Sequence, residues 1–299
     1  LLEHYQNGRN DDAERLALVI TRDFPKYQFG WKVLGAVLNQ TNRISESLGP
    51  KQKAVELDSL DAEAHSNLGN TLQELGRLDK AEASLRRAIA LKPDLAQAQY
   101  NLGITLQELG KVDEAELSFR EAIAIKPDYP EAHYNLGNMV KEMGRLEEAE
   151  ANYARAIALK PDYAVAHNNL GATLTGLGRV EEAEASLRQV VALRPDYAEA
   201  HYNLGIALTE LGRLGEANES YTQAIAIKPD HSSAKHMLAA LTGETTATAP
   251  RDYVEGLFDN YAAKFETSLV ENLEYKTPRL IAEIIIKDSK FDLLGSIMD

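Results

Sequence analysis

Apolar residues recur three or four positions apart over much of this chain, the spacing of one face of an α-helix. Residues 130–163 illustrate the pattern, with a stripe through Leu136 and Val140 before Gly144, and a second stripe that ends at Pro161. Glycine accepts the left-handed conformation that ends a helix, and proline cannot continue the helical hydrogen-bond ladder. The segment therefore predicts two helices joined by a short turn.

The same pattern returns every 34 residues. The recurring positions are Leu68, Leu102, Leu136, Leu170 and Leu204, each followed by glycine; Gly76, Gly110, Gly144, Gly178 and Gly212; Ala81, Ala115, Ala149, Ala183 and Ala217; and Pro93, Pro127, Pro161, Pro195 and Pro229. We expect small residues such as Gly137 and Ala149 where the two helices cross, because bulk there would push their axes apart.

These Leu-Gly, Gly, Ala and Pro positions resemble the tetratricopeptide repeat family. In that register six full repeats span 28–231, at 28–61, 62–95, 96–129, 130–163, 164–197 and 198–231. Trp31, Leu34 and Gly35 match the family's opening W-x-x-L-G, residues 1–27 resemble half of an earlier repeat, and residues 232–242 resemble a capping helix. The resemblance implies an all-α fold: a right-handed superhelical α-solenoid of helix-turn-helix repeats, with first helices lining its concave side, and a short C-terminal helical extension.

The first full repeat departs from the pattern. Asn42 stands at the turn-glycine position, Ser47 at the packing alanine, and Pro50 follows Gly49 inside the second helix. An internal proline costs about 3 kcal/mol and usually kinks or breaks a helix. We therefore expect a break near 46–50 that disturbs packing against the N-terminal half repeat. The other repeats tolerate it, because each unit contacts only its neighbours.

An asparagine precedes the leucine of each regular Leu-Gly pair. This row comprises Asn67, Asn101, Asn135, Asn169 and Asn203. At about 100° per residue these side chains point away from the core stripe. In the superhelix that the resemblance implies, this outward face lines the concave groove. A row of carboxamides can hold the backbone of an extended peptide, and similar ladders occur in the O-GlcNAc transferase repeats that these resemble. Alternatively, each asparagine bonds to a neighbouring helix and stabilises stacking; the two roles are compatible.

Further residues on this face are candidates for peptide contact. They are Asn138, Lys141, Tyr134, Tyr202 and Gln107. Flanking groove positions are mostly acidic or polar. Some members of the family bind a partner's C-terminal carboxylate through Lys and Arg at set groove positions. Lys141 is the only base that we find at those positions, which argues against such a clamp.

The overall charge narrows the class of partner. The chain has 32 Lys and Arg against 46 Asp and Glu, a net charge of -14, whereas nucleic-acid binding requires concentrated positive charge. We expect a neutral or basic polypeptide partner, although solubility alone also explains this charge. The sequence contains no apolar run of membrane-spanning length and no cysteine, which excludes thiol catalysis and Cys-based zinc sites. A cytoplasmic bacterial protein is the expectation.

No residue pattern predicts catalysis, a metal or a cofactor. One repeat position holds a histidine four times, at His65, His133, His167 and His201. Stacked helices lie roughly 8–10 Å apart, but zinc ligands must lie within about 2.1 Å of one ion, so we interpret this row as packing. Acidic pairs such as Glu147-Glu148 open second helices, where negative charge complements the helix dipole. Phosphate-binding glycine motifs and a nucleophile elbow are absent from the sequence.

The C-terminal residues follow a different pattern. Residues 243–250 are typical of a linker, and residues 251–299 resemble the helices that lead into the methyltransferase domain of bacterial repeat-containing methyltransferases. An apolar face there comprises Tyr253, Leu257, Phe258, Tyr261 and Phe265. Residues 291–294 predict a strand, but the glycine-rich S-adenosylmethionine loop that follows it in that family is missing. We expect the apolar face to dock on the last repeats or on a second copy, forming a homodimer.

Two functions are compatible with these patterns. The favoured one is a non-catalytic scaffold that binds an extended polypeptide in its groove. The alternative is the substrate-recruiting fragment of an S-adenosylmethionine-dependent methyltransferase whose catalytic domain is missing from this chain.

Overall fold

The computed structural model of the protein describes residues 1–243, and every regular element in that range is an α-helix. The helices are α1 Leu2–Gln6, α2 Asn10–Asp23, α3 Gln28–Gln40, α4 Ile44–Leu57, α5 Ala62–Glu74, α6 Leu78–Leu91, α7 Ala96–Glu108, α8 Val112–Ile125, α9 Pro130–Glu142, α10 Leu146–Leu159, α11 Ala164–Gly176, α12 Val180–Leu193, α13 Ala198–Glu210, α14 Leu214–Ile227 and α15 Ser232–Thr242. Within this range no helix has both the length and the apolar character needed to cross a membrane.

Successive helices pack against each other as an array of pairs. The described residues divide into two compact units, the first Leu1–Thr173 and the second beginning at Leu174. In the first unit α3 packs with α4, α5 with α6, α7 with α8 and α9 with α10, while α4 and α6 also contact the first helix of the following pair. In the second unit α12, α13 and α14 each pack against the next helix. The prediction of an all-α array of paired helices is confirmed.

Each regular pair turns through a glycine in the left-handed conformation. Gly76 has a φ of 68°, its N–H donates to the Gln73 carbonyl at 2.8 Å, and the Arg77 N–H donates to the Leu72 carbonyl at 2.8 Å. These two bonds satisfy carbonyls that the end of α5 leaves open. In the first full repeat Asn42 takes the same role with a φ of 61°, because asparagine is one of the few other residues that tolerates this region.

Close helix approach explains the second recurring glycine. A Cβ at Gly137 would lie 2.8 Å from the Tyr153 ring, and one at Gly103 would lie 2.7 Å from the Phe119 ring. Ala149, next to this contact, is fully buried. Small residues on one helix therefore leave room for a large side chain from its partner, as the sequence predicts.

The predicted break near 46–50 is wrong, since α4 continues through Pro50 from Ile44 to Leu57. Part of the usual conflict is a clash between the proline ring and the Cβ of the preceding residue. Gly49 has no Cβ, so it can remain helical before Pro50. The buried residues on either side, Ser47 and Ala54, keep α4 packed between α3 and α5.

Candidate functional site

The asparagine row lies on the first helices of successive pairs. In the first unit it comprises Asn67 on α5, Asn101 on α7, Asn135 on α9 and Asn169 on α11. Helices α5 and α7 contact each other directly, so neighbouring members of the row lie on adjacent helices. We call this surface of the first unit the first-helix face. Asn203 holds the same position on α13 of the second unit and is half-buried.

Two asparagines bond to a tyrosine on the preceding first helix. The Asn135 Nδ2 donates to the Tyr100 hydroxyl oxygen at 3.0 Å, and the Asn169 Nδ2 donates to the Tyr134 hydroxyl oxygen at 3.4 Å. Burial raises the pKa of Tyr100 above its usual range, so this hydroxyl stays protonated at neutral pH. These bonds link neighbouring repeats, which is the stacking role that the sequence left open beside peptide binding.

Asn138 is the centre of a second group of bonds. Its Oδ1 accepts from the Tyr153 hydroxyl at 2.8 Å and from the Asn169 Nδ2 at 2.8 Å. The Oδ1 of Asn169 accepts from the Asn168 Nδ2 at 3.3 Å. The Asn169 carboxamide is therefore engaged as donor and as acceptor inside the protein, and it has little capacity left for a ligand.

Two other asparagines of the row have carboxamide atoms that make no hydrogen bond with the described residues. Asn67 is exposed, and within residues 1–243 its carboxamide makes no hydrogen bond. Asn135 is half-buried, and its Oδ1 accepts no hydrogen bond from the described residues. Asn101, by contrast, is 7% exposed and accepts from the Gln97 Nε2 at 2.9 Å. The row thus contains open asparagines, whose carboxamides have atoms available to a ligand, and closed ones, whose carboxamides are buried or already hydrogen-bonded.

Tyrosine rings stack beside the row. The Tyr134 ring centre lies 5.1 Å from that of Tyr163 and 6.1 Å from that of Tyr153. Tyr100 is 4.9 Å from Tyr129, again centre to centre. Such tilted pairs are favourable for aromatic rings, and they hold Tyr100 and Tyr134 half-buried. A fixed, partly exposed ring is suited to packing against a peptide side chain.

The remaining candidates have varied surroundings. Lys141 is half-buried, and burial lowers the pKa of its ammonium while Glu142 opposes the shift. Gln107 on α7 is also half-buried. In the second unit Tyr202 is half-buried, with its ring centre 4.9 Å from that of His231 and 6.0 Å from that of Tyr221.

The histidine row contacts the main chain. Each ring places its Nε2 3.0–3.2 Å from a carbonyl oxygen six residues earlier. The pairs are His65 with Ser59, His133 with Pro127, His167 with Pro161, and His201 with Pro195. Each ring therefore ties the start of a first helix to the preceding loop. Among the described residues no group of His, Asp and Glu has the spacing to hold a metal ion.

Two lysines of the first full repeat lie outside the predicted groove set. Lys32 on α3 and Lys51 on α4 border a cavity next to Asn67. Lys51 is 7% exposed, which is rare for a lysine. The sequence could have shown that Lys51 is unusual, because the 34-residue register places it at a position where the other repeats have an apolar or aromatic residue.

The candidates in the C-terminal segment lie outside the described residues. They are the apolar face of Tyr253, Leu257, Phe258, Tyr261 and Phe265, together with the strand at 291–294. The docking and dimer expectations that depend on them stay predictions.

A sequence model of the tetratricopeptide repeat matches four overlapping stretches of the chain, at residues 60–128, 94–162, 128–196 and 162–230. Together these stretches cover more than half of the chain. No curated protein matches it.

Several solved structures are similar. YrrB, described as a TPR protein with an unusual peptide-binding site, is 27% identical; the match covers 62% of this chain and 96% of YrrB, with a TM-score of 0.56. A structure of the APC/C hetero-tetramer Cut9-Hcn1 gives 20% identity, a TM-score of 0.64, and coverage of 80% of this chain and 47% of that one. A tetratricopeptide repeat protein from Parabacteroides merdae gives 17% identity, a TM-score of 0.56, and coverage of 81% and 95%. The last two likenesses are evidence of fold alone.

Proposed function

This chain belongs to the tetratricopeptide repeat family, and from that premise we propose that its first-helix face binds an extended polypeptide, chiefly through the ligand's main chain. Proteins of this family are scaffolds for protein interaction. The observation that carries the proposal is the open carboxamide of Asn67, on the same face as the open Oδ1 of Asn135.

The two open asparagines offer complementary chemistry. Asn67 has both N–H donors and its acceptor oxygen available, so it can pair with a peptide carbonyl and a peptide N–H. Asn135 offers its acceptor oxygen, because its amide already donates to Tyr100. Neither contact depends on the ligand's side chains, so the proposed selectivity for sequence is low. The half-buried rings of Tyr100 and Tyr134 add surface for apolar side chains.

The likeness to YrrB supports the proposal by analogy. YrrB is described as having a peptide-binding site, and its identity to this chain is 27%. The analogy concerns the class of ligand only, and the residues proposed here are argued from this chain's own geometry.

A binding experiment tests the proposal. An array of unstructured peptides is screened against the protein, and the strongest binder is measured by calorimetry. We expect the combined Asn67→Ala and Asn135→Ala variant to bind about tenfold or more weakly, since each hydrogen bond contributes about 0.5–1.5 kcal/mol. The matched control is Asn152→Ala, which removes a half-buried asparagine from a second helix, α10, and is expected to bind normally.

Changes to the peptide test the main-chain part of the proposal. N-methylation of alternate peptide bonds removes N–H donors and is expected to abolish binding. Alanine replacement of single side chains is expected to change affinity only slightly. Unchanged affinity of the double asparagine variant, or of the N-methylated peptide, would remove this face from the mechanism.

A second candidate function rests on the resemblance of residues 251–299 to a methyltransferase lead-in. In that proposal the helical repeats recruit the substrate of an S-adenosylmethionine-dependent enzyme. The genomic sequence beyond Asp299 tests it, because an in-frame glycine-rich loop would favour the enzyme and its absence would count against it.

A further inference from the structure

The first full repeat has a lysine where the other repeats have a large core side chain. Lys51 is 7% exposed, and its aliphatic stem packs against Gly35, where an added Cβ would lie 2.7 Å from the Lys51 Cγ. The equivalent residues of the other repeats, in steps of 34, are all 0% exposed: Leu85, Phe119, Tyr153, Leu187 and Tyr221. Lysines are almost never buried to this extent unless an acid pairs with them. Packing alone therefore does not explain a lysine at this position.

Neutral groups from two neighbouring helices hold the Lys51 nitrogen. Its Nζ donates to the Asn39 Oδ1 on α3 at 3.1 Å and to the Thr71 hydroxyl oxygen on α5. The Thr71 hydroxyl in turn donates to the Asn39 Oδ1 at 3.3 Å, so its oxygen is oriented to accept from Lys51. Within residues 1–243 Lys51 forms no ion pair.

These partners suit the neutral amine of Lys51 better than its ammonium. A neutral amine has two N–H donors, which match the two acceptors, and one lone pair that is left for another atom; the ammonium has a third donor and a charge that is costly to bury. Burial lowers the pKa of Lys51 to about 8, and the more distant Glu74 opposes that shift. Because an ordinary lysine titrates near 10.4, Lys51 has about 200 times as much free amine at pH 7. The free amine is the nucleophilic form of lysine, and proteins activate it by burial of this kind.

Lys32, the other lysine at this place, is paired with acids. Its Nζ lies 2.7 Å from the Asp61 Oδ2 and 3.8 Å from the Glu63 Oε2. An adjacent acid favours the ammonium form of a lysine, which has no lone pair. The nucleophile in this region is therefore Lys51.

Both lysines border a cavity of about 280 Å³ in the first unit. Gln40 and Asn67, which also line it, are exposed, so the cavity is open to solvent. Since a water molecule takes about 30 Å³ of liquid volume, there is room for a molecule of several heavy atoms beside the amine. The described residues of the cavity wall include four carboxamides and three alanines but no acid. Such a wall favours a small, polar molecule without charge.

We propose that Lys51 is a nucleophilic amine that forms a Schiff base with a small, uncharged, polar aldehyde that enters this cavity. The Lys51 nitrogen adds to the carbonyl carbon, and the carbonyl oxygen takes up a proton to give a carbinolamine. Loss of that oxygen as water then leaves a C=N bond. In net terms an ammonium and an aldehyde give a protonated imine and one water, so the site keeps its charge of +1 and needs no oxidant or reductant.

The surroundings of Lys51 fit the product of this condensation. The protonated imine retains one N–H, which Asn39 or Thr71 can accept. The carboxamide of Asn67 makes no hydrogen bond within residues 1–243 and lines the same cavity, so its N–H groups are available to the carbonyl oxygen during the addition. An activated acyl donor fits less well, because its leaving group is usually charged or bulky. This site goes beyond the main-chain contacts proposed above and does not depend on them.

The condensation at Lys51 depends on pH. The charged and titratable groups that face Lys51 or line its cavity are Tyr5 from α1, Lys32 from α3 and Glu74 from α5. Because the pKa of Lys51 is about 8, its free amine increases as the pH rises towards 8 and levels off above it. An ordinary exposed lysine continues to gain free amine up to about pH 10. The two kinds of lysine therefore differ in the shape of their pH profiles as well as in rate.

The test maps which lysine of the whole protein forms the imine. The protein is incubated with methoxyacetaldehyde, a small uncharged aldehyde, and sodium cyanoborohydride reduces each imine to a stable secondary amine that mass spectrometry locates. The matched comparison is Lys53 on the same helix, which pairs with Glu56 at 2.6 Å. We expect Lys51 to be labelled about tenfold or more faster than Lys53 at pH 7, with a rate that stops rising near pH 8. Equal labelling of the two lysines at pH 7, or a Lys51 rate that still rises steeply above pH 9, would overturn the proposal.

A second measurement detects the imine without the reductant. With ¹³C at the carbonyl carbon of the aldehyde, we expect an imine resonance in the unchanged protein and in Lys53→Met, and a resonance about tenfold or more weaker in Lys51→Met. Dilution should release the aldehyde and restore the original mass, whereas an adduct that persists would exclude a Schiff base. If Lys51→Met does not fold, the lysine map of the unchanged protein decides alone. No peptide takes part in either measurement, so the peptide-binding proposal stays a separate question.

Discussion

Asn67 and Asn169 occupy the same position of the repeat but differ in what their carboxamides contact. Asn169 donates to Asn138 and Tyr134, whereas Asn67 is exposed and makes no hydrogen bond within the described part of the chain. A polar side chain that is left without its buried partner costs about 1–3 kcal/mol. Substitution at the two positions should therefore separate stability from binding.

We predict that Asn169→Ala lowers the free energy of unfolding by about 1–3 kcal/mol, because the Asn138 Oδ1 loses one of its two donors and the Tyr134 hydroxyl oxygen loses its donor. Asn67→Ala should change it by less than about 0.5 kcal/mol. Both substitutions raise helix propensity equally, so their difference isolates the hydrogen bonds. Urea unfolding followed by circular dichroism gives both values. Equal stability of the two variants would show that the Asn138 group contributes nothing.

At the scale of the element, α4 shows how a helix accommodates an internal proline. Pro50 lacks the N–H that would bond to the carbonyl four residues earlier, yet α4 runs without interruption. A Cβ at Gly49 would meet nothing within 4 Å other than the residue's own chain neighbours and the backbone of its helix. The remaining reason for glycine at this position is the ring of Pro50 itself.

For α4 we predict that the usual stabilising effect of replacing a helical glycine by alanine is reversed. Alanine normally stabilises a helix by about 1 kcal/mol relative to glycine, but Gly49→Ala should destabilise the protein by a similar amount, because its Cβ meets the Pro50 ring. With Pro50→Ala also present, Gly49→Ala should become stabilising. Gly215→Ala in α14 is the control, since a Cβ there meets nothing within 4 Å. Thermal unfolding compares the unchanged protein, Gly49→Ala, Pro50→Ala, the double variant and Gly215→Ala, and a gain from Gly49→Ala alone would rule out this account of α4.

Second helices are linked by ion pairs that repeat with the fold. Glu82 on α6 accepts from Arg86 at 2.9 Å and from Lys111 at 2.8 Å. Glu184 on α12 pairs in the same way with Arg188 and Arg213, each at 2.7 Å. These links use much of the positive charge of the second helices. Individually, such partly exposed pairs stabilise the fold by up to about 1 kcal/mol. Their larger effect is on the surface potential, because each pair neutralises a base that a ligand would otherwise meet.

The helix pairs could be predicted from sequence because helix period, turn glycine and proline agree in every regular repeat. Contacts between repeats could not. The bond from Asn135 to Tyr100 spans 35 residues and depends on how closely two first helices approach. Likewise, the register shows that Lys51 is at a core position, but only the fold brings Asn39 and Thr71 to its ammonium.

For the whole molecule, the net charge of -14 acts on any approaching ligand. Several bases on or just before the second helices are paired with acids, as at Glu82 and Glu184. Glutamates at the ends of first helices, such as Glu74 and Glu108, are exposed. The field near the first-helix face is therefore negative and favours a basic ligand.

This field predicts how salt acts on binding. A basic peptide should associate faster than a neutral peptide of the same length at low ionic strength, and the difference should shrink as the Debye length falls from about 30 Å at 0.01 M salt to about 8 Å at 0.15 M. Stopped-flow fluorescence measures both association rates. The combined Glu74→Gln and Glu108→Gln variant should lose part of the advantage, because these acids are exposed on first helices.

The control for this charge effect removes two exposed acids from second helices, with Glu121→Gln on α8 and Glu147→Gln on α10. Both variants change the net charge of the protein by the same amount. If only the total charge matters, they slow association of the basic peptide equally. If the ligand approaches the first-helix face, the variant at Glu74 and Glu108 slows it more, because a charge close to the path of approach is screened least. An equal effect of the two variants would therefore place the encounter elsewhere on the molecule.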